Sequence, residues 1–317
     1  MKNGSLGEKL MYRPQTRVIL ALISGGIDST TAALHAKKQY CDLPREDGID
    51  VVCHLYAVSF IYGQTHRREV EAAKRFAEKY GFKHFVVNIG SLSAKDLGLA
   101  SSGSALTGDK PIPETAAPGR VPETYVPQRN IVLLAHAASI LEMLLSAHDA
   151  YLGVLVVGFH AEDSAPGEPV YPDTRKEFVD AVELALNIGS GRVYEGRSRI
   201  IVHAPWVELP KWKIIAWGIE NGMDYSVTWT CYRGGEKPCG KCPSCLHRLR
   251  SFVATGIPDP LTEQYEHLPD WYKQWLDDNR ACKEGDIDAC KRVENATTLA
   301  RRGEIPYLAP KQEYVLV

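Results

Sequence analysis

The run Ser24-Gly25-Gly26-Ile27-Asp28-Ser29-Thr30 carries the residue types of an anion cradle. Its glycines let backbone N–H groups approach a phosphate, and the hydroxyls of Ser24, Ser29 and Thr30 add donors. A helix starting here adds its partial positive charge. Ile23 and Thr31 flank this run and bound the stretch expected to contact the ligand. No Gly-Lys-Ser/Thr follows, so the loop is not of the kind that grips β and γ phosphates, and the dinucleotide glycine fingerprint is also missing. Asp28 would repel a bare phosphate and belongs beside Mg²⁺. Asp28 and Ser29 are therefore candidates for the chemistry itself. The competing reading is a plain Gly-Gly turn that starts a helix.

A second group is Cys231-x7-Cys239-x2-Cys242-x2-Cys245. Four soft ligands at this spacing predict tetrahedral Zn²⁺ with no open position, which makes the site structural. An iron–sulfur cluster is the alternative, since thiolates hold both. Lys237, Lys241, Arg248 and Arg250 lie around the cluster in sequence and would offset its negative charge. Of eight cysteines these four fall within fifteen residues, and the N-terminal stretch has no apolar leader, so ligation is expected over a disulfide framework. Cys41, Cys53, Cys282 and Cys290 are expected as small buried thiols.

The elements that must position these groups alternate along the chain. Strands are predicted at Arg17 to Ile23, Asp50 to Phe60, His84 to Ile89, Tyr151 to Gly158 and Ile200 to His203. Helical patterns run to Lys38, then over Arg67 to Tyr80, Asn130 to Ala147, Thr174 to Ile188 and Lys211 to Asn221. The alternation argues for an α/β fold, a doubly wound five-stranded parallel sheet with a small C-terminal four-cysteine module. Ligands on such sheets bind at the carboxyl ends of the strands, which draws in the loops starting at Ser24, Ile61, Gly90 and Phe159. Gly90 to Gln128 is too long for an ordinary connection and reads as a functional loop or as disorder.

The expected divisions are an N-terminal extension (1–16), a nucleotide-binding α/β domain (17–225), the cysteine module (226–257) and a C-terminal extension (258–317). The extension holds a helix with Trp271 and Trp275, then a charged segment, Asp277 to Arg302, with no clear apolar stripe. With 44% apolar residues and a formal charge of −2, the chain can build a substantial core but has no basic surplus for a nucleic-acid backbone. No apolar run approaches the roughly 20 residues of a membrane span. A cytoplasmic location is the expectation.

The glycine loop resembles that of the PP-loop ATP-pyrophosphatase superfamily (adenine nucleotide alpha hydrolase-like), and the motifs in order resemble the 7-cyano-7-deazaguanine synthase family from about Arg17 to Phe252. They are Tyr62-Gly63-Gln64-x-His66, Ser104-x-Leu106-Thr107, Thr124-Tyr125-Val126-Pro127-x-Arg129-Asn130, Gly158-x-x-Ala161-x-Asp163, Tyr171-Pro172-Asp173-x-Arg175-x-x-Phe178 and the cysteine module. The resemblance implies ATP, Mg²⁺ and Zn²⁺ as cofactors. It implies activation of the carboxylate of 7-carboxy-7-deazaguanine, displacement by ammonia to an amide, and ATP-driven dehydration to the nitrile. Tyr62, Gln64, His66, Arg129, Asn130, Asp163, Tyr171, Asp173 and Arg175, in loops at the ligand-binding edge, are candidates for contacts to the base and its carboxylate, each with the alternative of a cap, turn or surface residue, and His66 with that of capping the following helix. The resemblance also implies self-association into a homodimer. Lys211, at a helix start, is a candidate phosphate contact or a solvated lysine.

The sequence departs from the family pattern at Ser164 to Val170, which stand in place of a short link, at Gln128 where Gly is usual, and at Thr174 where Cys is usual. A diverged enzyme that stops at the amide, or passes the acyl group to another amine such as a protein partner, is thus the main alternative. A tRNA-thiolating enzyme and a non-catalytic nucleotide sensor rank below it.

Overall fold

The computed structural model describes residues 15–42, 51–62, 68–90, 104, 120–163 and 171–307. Gln64, His66, the Leu106-Thr107 pair, Ser164 to Val170 and most of the N-terminal extension lie outside the described residues, as does 308–317. Five strands, β1 (Gln15–Leu22), β2 (Val51–Ile61), β3 (Lys83–Asn88), β4 (Leu152–Val156) and β5 (Arg199–His203), form one parallel sheet in the order β3-β2-β1-β4-β5. β1 pairs on one side with β2, Leu22 against Val58, and on the other with β4, Ala21 against Val156. Its neighbours thus follow in opposite chain directions, and the loops after β1 and β4 open side by side at the switch point.

The helices are α1 (Ile27–Tyr40), α2 (Arg68–Tyr80), α3 (Arg129–Ala147), α4 (Lys176–Gly189), the single turn α5 (Gly191–Tyr194), α6 (Lys211–Glu220), α7 (Pro243–Thr255), α8 (Asp270–Lys283) and α9 (Ile287–Arg301). Because side chains alternate along a strand, β1 sends Ile19 and Ala21 into a core with α1, α2 and α6, and Val18 and Leu20 into a second core with α3 and α4. α3 has a mean hydropathy of 1.6 over 18 residues, so by length and composition it corrects the expectation that no segment comes near membrane length. Its Leu134, Ala137, Leu141 and Leu145 face is seated in the second core.

Two expectations are overturned. Cys41 is bonded to Cys53 and Cys282 to Cys290, with Cα atoms 5.7 and 4.6 Å apart, so these are disulfides rather than free thiols. Each pairing joins the end of one element to its neighbour, α1 to β2 and α8 to α9, which spacing alone does not reveal. The charged tail segment also has a buried stripe, carried on α9 by Ala289, Ala296 and Ala300. Alanines at that spacing let α9 pack closely on α7 and α8, yet they add little to an apolar pattern. Together with the four clustered cysteines, Trp271, Tyr272 and Trp275, these helices build a third core.

Candidate active site

At the switch point α1 starts at Gly26 with no side-chain cap, so the N–H groups of its first turn stay available to an anion. Ser24 and Ser29 close the loop on itself: Ser29 Oγ accepts from Ser24 N at 3.2 Å and stands 3.2 Å from Ser24 Oγ. Ile23, Ser24, Gly26, Asp28 and Ser29 line a cavity of about 370 Å³. Gly25 (φ 86°) approaches α2 so closely that a Cβ would stand 2.1 Å from Glu69 O. Thr30 does not fill its expected role, because its hydroxyl donates to Gly26 O at 2.7 Å. Thr31 Oγ1 likewise donates to Ile27 O, and Ile27 is buried in the core.

Asp28 sits in a charged cluster that the sequence showed only in part. Lys211, buried at the start of α6, places Nζ 2.9 Å from Asp28 Oδ2, and His160 Nε2 lies 3.8 Å from the same oxygen. Burial would raise the Asp28 pKa, but Lys211 and then His160 hold it below its ordinary value. Burial likewise works against the Lys211 charge, and Asp28 more than offsets it, so Lys211 stays charged. Asp163 is raised, by burial first and then by Asp28, although His160 opposes this. Lys211 is therefore no solvated helix-start lysine. Asp28 Oδ1 is buried and has no hydrogen-bond partner among the described residues, which fits a carboxylate oxygen kept for a cation.

Glu162, unnoticed in the sequence, accepts from Lys211 N at 2.8 Å and from His247 Nε2 at 3.0 Å. Burial pushes His247 down to about 4, so the ring is neutral at pH 7 and serves as a donor. Glu162 is held below the carboxylate range against its own burial by His247 and the Lys211 N–H. This pair links α7 of the cysteine module to the start of α6.

Tyr62, Arg129, Asn130, Tyr171 and Tyr232 also line the cavity, with Glu69 from α2. Arg129 Nη1 donates to Tyr62 Oη at 3.4 Å, while Nε and Nη2 reach Asn130 Oδ1 at 3.3 Å. Gln128 precedes it at φ 55°, the left-handed region where glycine is favoured, which accounts for the residue usual there in the family and marks Gln128 as strained. Burial pushes Glu69 up to about 7, with Arg129 opposing. Asp173 is buried but turned to α3: its Oδ2 accepts from Asn130 N at 3.2 Å. Arg175 is exposed and donates to Pro172 O, so neither Asp173 nor Arg175 is on the cavity wall. Asp163 and Thr174 are.

The sulfurs of Cys231, Cys239, Cys242 and Cys245 lie within 4.8 Å of one another, all on buried residues. A tetrahedral site with Zn–S bonds of about 2.3 Å separates its sulfurs by about 3.8 Å, and Cys239 Sγ stands 3.9 Å from Cys245 Sγ. Backbone N–H groups of Cys239 and Cys242 point at Cys231 Sγ and Cys239 Sγ at 3.4 Å, as thiolates require. The donor set fits a resident metal. Gly240 (φ 70°) lets the tail cross this loop, since a Cβ there would overlap His267 O.

Residues 18–256 match the protein family described as queuosine biosynthesis protein QueC. The chain is similar to the 7-cyano-7-deazaguanine synthases of Desulfatibacillum aliphaticivorans (38% identical over 78% of this chain and 96% of the relative) and Thermoplasma acidophilum (34% over 81% and 96%). Among solved structures it has likenesses to a U34-tRNA thiolase from Methanococcus maripaludis and an NAD⁺ synthetase from Burkholderia pseudomallei, at TM-scores of 0.35 and 0.31 and 12% and 19% identity, over 96% and 91% of this chain and 79% and 81% of those chains.

Proposed function

The chain belongs to the QueC family of queuosine biosynthesis, and from that premise we propose that it converts 7-carboxy-7-deazaguanine, ATP and ammonia to 7-cyano-7-deazaguanine. The observation that carries this reading is the uncapped start of α1 beside the Asp28–Lys211 pair, in one cavity that is also lined with aromatic and polar groups suited to a base.

A carboxylate oxygen is a poor leaving group until it bears a phosphoryl group. The substrate carboxylate attacks the α-phosphate, pyrophosphate leaves, and ammonia then displaces AMP to give the amide. A second ATP activates the amide oxygen in the same way, and loss of AMP and a proton leaves the nitrile. The loop N–H groups and the Ser24 and Ser29 hydroxyls hold the departing pyrophosphate. Lys211 neutralises charge at the reacting phosphate and Asp28 fixes that lysine, so the protein contributes position and charge. Mg²⁺, with Asp28 Oδ1 as its protein ligand, would supply further neutralisation. Zn²⁺ on the four cysteines would serve structure.

The test is incubation with MgATP, ammonium and 7-carboxy-7-deazaguanine, with products followed by mass spectrometry and Asp28→Ala as control. Nitrile formed by the wild type and lost in the variant supports the reading. An amide that accumulates without nitrile redirects it to an enzyme halted at the first stage, and no consumption of the base refutes both.

A further inference from the structure

Three described carboxylates line the cavity, and two are committed. Asp28 holds Lys211, and Asp163 uses one oxygen for His160 Nε2 and the other for His160 N, each at 3.3 Å. Glu69 is different. It lines the cavity from the first turn of α2, yet its carboxylate has no hydrogen bond or ion pair with any described residue. Arg129, whose charge acts on Glu69, is already held by Tyr62 and Asn130. A partly buried carboxylate with no hydrogen-bond partner among the described residues costs free energy unless a ligand brings donors to it.

The base offers such donors. A 2-amino-4-oxopyrimidine ring presents a ring N–H and an exocyclic amino group side by side, a pair that matches the two oxygens of one carboxylate. The carboxylate being activated must face Lys211, so the donor edge needs an acceptor elsewhere on the wall. Glu69, whose main chain packs against Gly25, acts electrostatically on Arg129 and Tyr232, whereas Lys211 is held by Asp28, Asp163 and Glu162, so Glu69 meets that need. We propose that the Glu69 carboxylate accepts both donors of this edge and so selects 2-amino bases over bases lacking the amino group. The proposal rests on reading the cavity as the deazaguanine site.

The test compares wild type, Glu69→Gln and Glu69→Asp on 7-carboxy-7-deazaguanine and on its analogue without the 2-amino group. Steady-state turnover and calorimetric binding are both read. Wild type should favour the amino base by about 10- to 100-fold in kcat/KM and in Kd, the range of a bidentate edge contact. Glu69→Gln should lose most of that preference through KM for the amino base, with kcat, the KM for ATP and metal content held. Glu69→Asp should recover part of the preference.

A fall in kcat shared by both bases, with a raised KM for ammonium, would overturn the proposal and place Glu69 at the nitrogen donor. A raised KM for ATP alone would place it at the adenine. An unchanged preference, or binding of neither base, overturns it as well. Binding that shows the preference without turnover keeps the proposal and sinks only the synthase reaction.

Discussion

Asp259→Asn should cost the protein about 3–5 kcal/mol, the range found when one partner of a buried ion pair is removed. Arg248 of α7 and Asp259 of the tail are 1% and 0% exposed, and two bonds join them, Nε to Oδ2 at 2.7 Å and Nη2 to Oδ1 at 2.8 Å. Asp259 Oδ2 also accepts from Tyr265 Oη at 2.9 Å, and Arg248 Nη1 and Nη2 reach Thr228 Oγ1 and Tyr225 O. The pair therefore ties the tail, the cysteine module and the end of the α/β domain at one point. The amide leaves the guanidinium buried with no counter-charge. At about 2 °C per kcal/mol for a chain of this length, the melting temperature should fall by roughly 6–10 °C. Scanning calorimetry on the metal-loaded protein measures this. Replacing both charges together, Arg248→Met with Asp259→Leu, should recover much of the loss, because apolar side chains of similar volume leave no charge buried. A fall under 2 °C, or a double variant worse than the single one, refutes the reasoning.

Gly158→Ala would put a Cβ 2.4 Å from Ser29 N and 2.6 Å from Ser29 Cα, so the loop must move; kcat/KM for ATP should drop about 100-fold, and an unchanged ATP parameter would remove Gly158 from the loop's support. The purified protein should be colourless and carry one zinc per chain, and stripping it should lower the melting temperature and turnover together; a brown protein with labile sulfide would assign a cluster instead. His203 is lowered by burial, then by His35, from 6.5 to about 3, so the unfolded chain binds more protons than the folded one between those values. Its contribution is complete above pH 6.5 and is lost as pH falls through that window, at up to about 1.4 kcal/mol per unit. Stability of His203→Phe should be flatter from pH 6.5 to 4 than that of the wild type, and equal slopes would count against the buried neutral pair His203 forms with His35 at 3.0 Å.

Local pattern carried the strands and the glycine loop, because both write their chemistry into neighbouring residues. β1 and β4 are near-continuous apolar runs, and Ser24 to Ser29 stand together in the chain. Contacts made across the fold left no such trace. Glu162 and His247 meet over 85 residues, and the sequence around each is ordinary. Glu69 lies three residues beyond the motif that ends at His66, and on a helix rich in charged residues it reads as part of a solvated face. Thr30 failed for the opposite reason. Its type suited a phosphate, yet one helical turn brings a carbonyl within 2.7 Å of its hydroxyl, and that acceptor wins.

The cysteine module is tied to the glycine loop through the main chain. Trp229 N donates to Gly25 O at 2.8 Å, and Trp229 Nε1 donates to Cys231 O at 3.0 Å, so the chain entering the first thiolate is stitched to the loop. Trp229, Thr230, Tyr232 and Ser244 then supply a wall of the cavity. From the last thiolate α7 carries His247 back to Glu162, which holds the backbone N–H of Lys211. A metal that fixes Cys231 to Cys245 thus fixes both Gly25 of the loop and Lys211 beside Asp28. Metal loss should therefore weaken the grip on ATP through Gly25 and Lys211 and that on the base through Tyr232, and binding of either ligand left intact after the metal is stripped would refute this coupling.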